Sequence, residues 1–373
     1  MFGIYIHIPF CKQACHYCNY HFSTTLKHKT RLVNAITKEL ILRKDELNTQ
    51  VKTIYLGGGT PSLLNQSELD DIFHTIYEHY NVAEDAEITI EANPDDLTIE
   101  KLKVLALTPI NRLSIGVQSF YNSDLIWMNR AHNAKEALDC LHLAKRYFSN
   151  ISIDLIYGIP QMDNERWKQT LERVFELAIP HLSFYALTVE PETALERFIK
   201  KNKSPAVEDD HAFAHYKILQ QKAQHANYQN YEFSNFSKTG YYSQNNMAYW
   251  SGRPYLGIGP GAHSYQPGQR CWNIANNLLY AKKIEADELA LECEILSQED
   301  QYNEYIMTRF RTLAGLSLSI LRERFGEKLY QYAWQQAQPH LQSGRLEIVE
   351  NQMRVTTQGR FQTDGISGDL FYV

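Results

Sequence analysis

The chain has 373 residues and a formal net charge of -6, long enough to bury one core of ~250 residues with a smaller domain beside it. No Lys/Arg block occurs beyond the short run Lys200, Lys201, Lys203, so the electrostatic footprint of a nucleic-acid binder is missing and no nucleic-acid partner is expected. Met1 is followed by Phe-Gly-Ile-Tyr-Ile-His-Ile rather than a basic leader, and no apolar run nears the ~20 residues of a membrane span, so a cytoplasmic protein without a transmembrane segment is expected.

The first β-branched run, Ile4–Ile8, predicts a strand, and Cys11, Cys15 and Cys18 follow it in a CxxxCxxC spacing just after Pro9. The other three cysteines, Cys140, Cys271 and Cys293, are scattered. A cluster of three in a chain of this size points to a metal site rather than a disulfide framework. Thiolates suit iron–sulfur clusters or zinc. Three of them on one short loop reach three corners of a four-iron cube and leave the fourth iron open to a ligand. Structural zinc, with His7, His16 or His21 completing a Cys3His tetrahedron, is the competing reading. Cys140, Cys271 and Cys293 read as buried or surface thiols without function.

Helical periodicity then runs from Lys29 to Leu47, a strand pattern covers Val51–Leu56, and a second helical pattern spans Ser67–Tyr80. Further strand-like runs fall at Glu87–Glu91, Arg112–Val117, Ile151–Ile156, His181–Leu187 and near Gln229–Phe233, with helical patterns at Asn133–Phe148, Glu165–Ala178 and Asp209–His225. This alternation predicts an α/β fold built on a parallel sheet, a partial (β/α) TIM-like barrel over residues 1–270. The strand ends carry Gly57-Gly58-Gly59-Thr60-Pro61, Glu91-Ala92-Asn93-Pro94, Gln118-Ser119-Phe120 and Gly158-Ile159-Pro160, which such a barrel gathers on one catalytic face. Residues 234–265, rich in Gly, Tyr and Asn without a clear period, read as an ordered loop capping that face. Past residue 298, helical patterns at Gln301–Leu313, Ser317–Phe325 and Leu329–Leu341 precede two short runs, Leu346–Val349 and Met353–Thr356. They predict a small C-terminal helical, winged-helix-like domain over residues 298–373, too poor in positive charge for DNA and better suited to interaction or to covering a substrate.

The glycines from Gly57 to Gly59 let backbone approach a ligand, and their N–H groups suit a carboxylate; an ordinary tight turn is the plain alternative. The spacing is not GxGxxG, which disfavours a Rossmann dinucleotide site. Glu91, Gln118, Arg130 and Asp154 stand at or just past successive strand ends. Together they offer acceptors for hydroxyl and ammonium groups and a guanidinium for a carboxylate, with a structural ion pair as the plain alternative for each alone.

CxxxCxxC with Tyr17 before the last cysteine, then GGGTPS, IEANPD, RLSIGVQSF, NRAHN, IDLIYGIP and LSFYALTVEPET, resembles the radical S-adenosylmethionine (SAM) subfamily of oxygen-independent coproporphyrinogen III oxidase and the HemW haem chaperones. The match runs from Tyr5 to about Tyr265, and the C-terminal module resembles that family's own C-terminal domain. The resemblance implies a [4Fe-4S] cluster on Cys11, Cys15 and Cys18, and SAM held by Tyr5, Gly58, Gly59, Thr60, Glu91, Gln118, Arg130 and Asp154. In such proteins one electron from the cluster cleaves SAM to methionine and a 5′-deoxyadenosyl radical. No catalytic residue beyond these is assigned.

The oxidase pattern has a further cysteine two places after the third, where this chain has Tyr20, and an extension before the first strand, where this chain begins. Both departures favour the HemW branch, which implies haem or porphyrin as ligand, a haem-acceptor protein as partner and a one-electron reductant. Porphyrinogen decarboxylation is the alternative, and a zinc-binding scaffold the second. The family's His-Asn pair before Tyr-Trp reads Asn245-Asn246-Met247-Ala248-Tyr249-Trp250. An amide is a poor axial ligand for haem iron, so His263, in the Gly-Pro-Gly-Ala-His-Ser turn, is the candidate substitute, although a lone histidine in a Gly-rich turn is more often a hydrogen-bonding residue.

Overall fold

A computed structural model describes residues 2–46 and 49–373. Strand β1 (Phe2–Ile8) is followed by α1 (Lys29–Leu42), β2 (Val51–Gly58), α2 (Gln66–His79), β3 (Val82–Ala92), α3 (Ile99–Ala106), β4 (Arg112–Gln118), α4 (Asn122–Trp127), α5 (Ala134–Ala144), β5 (Asn150–Tyr157), α6 (Asn164–Glu176) and β6 (His181–Ala186). The chain continues through α7 (Ala194–Lys200), α8 (Asp209–His225), β7 (Gln229–Asn230), β8 (Asn235–Ser237), α9 (Gln244–Trp250), β9 (Tyr255–Ile258), β10 (His263–Gln266), β11 (Gln269–Asn273), α10 (Asn277–Glu285) and β12 (Leu291–Ile295). The predicted end of the first helix at Leu47 lies outside the described residues, and α1 stops at Leu42.

One sheet of 12 strands, in the order β12-β11-β10-β9-β1-β2-β3-β4-β5-β6-β8-β7, forms the frame. From β9 through β1 to β6 every neighbour pair is parallel. The sheet ends at β12 and β7 without closing, so the barrel is partial. Alternation sorts the side chains: Ile4, Ile6, Ile8, Ile54 and Leu56 are fully buried against the helices, while Tyr5, Tyr55, Glu91 and Asp154 point to the inner side. The helix starts are fixed locally, as in α2, where Asn65 and Glu68 make a capping box, and in α5, where Asn133 and Glu136 do the same.

Three sequence expectations change here. The strand predicted near Gln229–Phe233 is only the two-residue β7, and it joins the sheet through antiparallel β8 rather than as another βα unit. Only part of the segment 234–265 lies on the catalytic side, the Gly259–Gly261 turn beside His7 and His21 at the C-terminal end of β1. The segment's helix α9 seals the opposite end of the barrel, because the buried carboxylate of Glu87, at the start of the paired part of β3, accepts the Ser243 hydroxyl and the N–H groups of Gln244 and Asn245. A buried anion at a helix N-terminus satisfies donors that have no intrahelical partner. Finally, Cys271 and Cys293, read as unconnected thiols, face each other across β11 and β12 and form a disulfide. Cys140 is buried and unpaired, as read.

A second core, from Tyr302 to Leu370, belongs to α11 (Gln298–Phe310), β13 (Leu316–Ser317), α12 (Leu318–Gln342), β14 (Leu346–Val349), β15 (Gln352–Val355) and α13 (Thr363–Asp369). The two predicted helices Ser317–Phe325 and Leu329–Leu341 are α12 on either side of a break at Gly326, whose φ of 82° only glycine adopts without strain. Phe361 packs on the barrel core and Arg360 donates to the Asn230 carbonyl, tying this module to the barrel. Among the described residues no helix is long and apolar enough to cross a membrane.

Candidate functional site

The C-terminal ends of the parallel strands surround a cavity of about 350 Å³. The loop between β1 and α1 forms one wall. Its neck is closed where Cys11 N–H donates to the Ser23 carbonyl (3.1 Å) and Ser23 N–H to the Pro9 carbonyl (2.9 Å). Its tip is gripped from two sides: His16 N–H and ring Nδ1 meet the carbonyls of Met128 and Trp127, while His16 carbonyl accepts from Leu195 N–H at 2.8 Å. Asn129 donates to the Ala14 carbonyl, and Lys12 pairs with Asp95 and Asp96. Held in this way, the loop brings Cys11, Cys15 and Cys18 together on the cavity lining.

Gly58, Gly59, Thr60, Glu91, Gln118, Arg130 and Asp154 line the same cavity. Tyr5 is not on the lining; it sits below, its hydroxyl 3.1 Å from His7 Nδ1. The glycines act differently from the expectation of free amides. Gly58 N–H donates to Glu91, Gly59 N–H to the Ile8 carbonyl and Thr60 N–H to the Phe10 carbonyl, so no anion cradle remains. What demands glycine is approach: a Cβ at Gly59 would lie 2.6 Å from the Ile8 carbonyl oxygen, and one at Gly58, with φ of 101°, would meet the His7 ring at 2.3 Å.

Burial pushes the Glu91 carboxyl up to about 7, against hydrogen bonds from Tyr55 hydroxyl (2.8 Å) and Gly58 N–H. Burial likewise pushes Asp154 up to about 6, opposed by Ser183, Arg112, Arg130 and Ser114. Two desolvated carboxyl groups in one cavity gain by meeting a cation. Arg130 supplies the opposite charge: Nη1 is 3.3 Å from Cys15 Sγ, and Nη2 donates to Asn93 Oδ1 and the Gly116 carbonyl, while its buried Nε has no partner. Gln118 holds a left-handed φ of 66° at the end of β4, a strained backbone of the kind kept at binding sites.

The donor set fits an iron–sulfur cluster better than zinc. Three thiols and no fourth cysteine or histidine line the cavity. Each histidine of the zinc reading is engaged elsewhere: His7 with Tyr5 and the His21 carbonyl, His16 with Trp127, and His21 Nε2 with Asn277. Among the described residues no group of three or more His, Cys, Asp or Glu is placed to hold a single metal ion. Burial pushes the Cys11 thiol up to about 11, with Thr60 opposing, and raises that of Cys18, so metal binding here must displace protons. Sequence reasoning missed Asn93, which bridges Arg130 and Thr60, although it stands in the IEANPD motif. It also missed Tyr55 and Ser183, which only the inward alternation of β2 and β6 marks.

A second cleft, of about 210 Å³, opens where β9–β11 meet α11. Tyr249, Trp250, Tyr255, Tyr265 and Tyr305 form its walls, with Arg270, Arg309 and Arg324 around them. Arg270 pairs with Glu304 and Glu294; Arg309 donates to the Ser251 carbonyl and Arg324 to Gln301, and neither meets a carboxylate among the described residues. His263 is exposed on β10, opposite Trp272 with ring centroids 6.1 Å apart, two residues before Tyr265 and therefore on the same sheet face. Asn245 is not in this cleft: it is 3% exposed and held against Glu87.

Residues 5–174 match the radical SAM superfamily and residues 296–361 the HemN C-terminal domain. The chain is 31% identical over 373 residues to heme chaperone HemW of Bacillus subtilis, covering 99% of this chain and 98% of that protein. It is 36% identical over 353 residues to heme chaperone HemW of Escherichia coli, covering 88% and 90%. The solved structure of coproporphyrinogen III oxidase (HemN) from Escherichia coli superposes with a TM-score of 0.86 over 99% of this chain and 90% of that one, at 24% identity, a likeness of fold. With a radical SAM barrel, a HemN-type C-terminal module and full-length relatives of one kind, the chain belongs to the HemW family of radical SAM proteins.

Proposed function

We propose that this chain is a cytoplasmic haem chaperone: it binds haem, passes it to an acceptor protein, and holds a [4Fe-4S] cluster on Cys11, Cys15 and Cys18 with SAM beside it. The observation that carries the reading is the convergence of those three thiols with Glu91, Gln118, Arg130 and Asp154 in one cavity. The chemistry such a cluster supplies when bound is one-electron reduction of the SAM sulfonium. The chain's own residues orient SAM: Glu91 and Asp154 receive its ammonium and ribose hydroxyls and Arg130 its carboxylate, while Gly58, Gly59, Thr60 and Gln118 wall the cavity and Tyr5, off the lining, supports it from below. Tyr20 lines the mouth of this cavity, where the oxidase pattern has a cysteine.

For haem, the second cleft is the better receptor. Its tyrosines and Trp250 offer flat apolar walls, and Arg309 and Arg324 offer two guanidiniums to a ligand with two carboxylates. His263, on the face that continues from Tyr265, supplies the axial imidazole that Asn245 cannot. A haem titration under reducing conditions tests this. Wild type is expected to bind, His263→Ala to lose the imidazole-type spectrum with at least tenfold weaker affinity (about 1.4 kcal/mol), and an anaerobic assay with coproporphyrinogen III to give no protoporphyrinogen IX. Catalytic product formation moves the protein to the oxidase reading.

The raised carboxyls also give SAM binding a pH dependence. In the ligand-free cavity Glu91 titrates near 7, so its charged fraction grows from about a tenth at pH 6 to about nine tenths at pH 8, and affinity for the cationic ligand is expected to rise about tenfold over that range. The sign for folding is opposite. A carboxyl whose folded value is raised stabilises the fold at low pH, and that contribution is lost as pH climbs through about 6 to 7. Calorimetric SAM titrations of the loaded protein at pH 6, 7 and 8 check the first statement; a flat profile removes Glu91 from the site.

A further inference from the structure

The basic run Lys200, Lys201, Lys203 belongs to neither cavity, yet it is attached to the cysteine loop. Helix α7 begins at a Thr193 cap, buries Leu195, and uses Leu195 N–H to bond the His16 carbonyl. Phe198 then meets the His16 ring edge-on at 4.9 Å. His16 stands between Cys15 and Cys18 in the chain, so α7 is packed directly behind the thiols.

The far end of this helix presents Arg197, Lys200, Lys201 and Lys203 to solvent. Lys200 is matched by Glu196 of its own helix, whereas Lys201 and Lys203 meet no carboxylate among the described residues. Of the nearby acids, Glu190 accepts from Asn19 and Thr188, Asp209 and Asp210 line a separate cavity beside His340 and Arg345, and Glu192 and Glu208 are exposed. Cations at a helix C-terminus gain from the macrodipole, which accounts for Lys200 but not for Lys203, beyond the last turn. In a molecule of net charge -6, four cations thus cluster at one end of the element that backs the cysteine loop, Arg197 and Lys200 on α7 and Lys201 and Lys203 just past it.

We infer that this face of α7 is the docking surface for the electron donor, a small acidic flavoprotein of the one-electron carrier class; the inference rests on the cluster assignment proposed above. Complementary charge steers such encounters and raises association rates by 10-fold to about 1,000-fold. Electron-transfer complexes are small and transient, so a patch of this size suffices. In the step served, one electron leaves the reduced flavin, which becomes the semiquinone, and is accepted at the cysteine-held group; no bond forms or breaks.

The test compares wild type with K200E/K201E/K203E and with a control, K103E/K217E/K328E, that spreads the same charge change over exposed sites elsewhere. Cluster bleaching by reduced flavodoxin is followed by stopped flow at several ionic strengths, and by dithionite as a small reductant that needs no docking. The α7 variant is expected to react with flavodoxin about tenfold or more slowly at low salt, with a flatter salt dependence, and at the wild-type rate with dithionite; the control should stay within about threefold of wild type. Calorimetry of flavodoxin with the cluster-free chains gives a readout independent of the metal and should show the same order. An unchanged flavodoxin rate in the α7 variant, or an equal loss in the control, overturns the inference. So does a variant that loses only its affinity for phosphatidylserine vesicles, which would make the patch a membrane contact. Failure of the wild type to take up a cluster overturns the cofactor reading instead, leaving the calorimetry to decide the surface.

Discussion

Replacing Cys11, Cys15 or Cys18 singly by Ala is expected to abolish the 4Fe-4S absorbance and EPR signal after anaerobic reconstitution. All three thiols line one cavity, and no other cysteine or histidine side chain reaches that lining, so no residue can take over a lost corner. The loop is fixed by Met128, Trp127 and Asn129 on one side and by Leu195 on the other. A missing sulfur therefore cannot be replaced by rearranging the backbone without breaking these bonds. Cys140→Ala and the double change Cys271→Ala with Cys293→Ala should leave the signal intact. The latter removes a cross-link between residues 22 apart and should cost about 3 kcal/mol of stability. Circular dichroism and iron and sulfide analysis of each variant separate loss of fold from loss of ligand. Loss of the cluster in a folded Cys140 or Cys271/Cys293 variant overturns the assignment.

Arg130→Ala should weaken SAM binding by about 2–5 kcal/mol, or roughly 30-fold and upward, as for the truncation of one partner in a buried charged pair. Its guanidinium is the cation placed among Cys15, Asn93 and Gly116, with an unpartnered Nε. The variant strands the Asn93 amide oxygen as well, so Arg130→Lys is the second measurement. Lysine restores charge but not the fork that spans two acceptors, and it should recover only part of the affinity. Calorimetry on cluster-loaded protein reads both. A loaded Arg130→Ala protein with unchanged SAM affinity removes Arg130 from the site.

Most of the barrel is legible because local signals and packing agree. β1, β2 and β4–β6 combine β-branched runs with turn residues, and α2, α5 and α6 carry side-chain caps at their first turns. The catalytic face follows from them, since parallel strands leave their C-terminal ends together. The region after Tyr231 is not legible in this way. β9 has four residues and β8 three, too short to show a period, and the place of α9 depends on Glu87, more than 150 residues earlier.

The sequence by itself therefore determined the kind of chemistry and its location in the chain. CxxxCxxC fixes three soft ligands on one loop, and the residue types at the strand ends fix which donors and acceptors meet a ligand. Tertiary structure decided what those residues are free to do. The Gly58, Gly59 and Thr60 amides proved occupied, because the β1–β2 register brings the Ile8 and Phe10 carbonyls against Gly59 and Thr60, and β3, paired to β2, sets Glu91 against Gly58. Cys271 and Cys293 proved to be partners, because antiparallel β11 and β12 set them opposite each other. Asn245 proved to be a barrel plug and Tyr249 and Trp250 a cleft wall, although they lie on one short helix. A helix turns successive side chains by about 100°, so neighbours in sequence face different neighbours in space, and only the packing of α9 between the barrel and α11 says which.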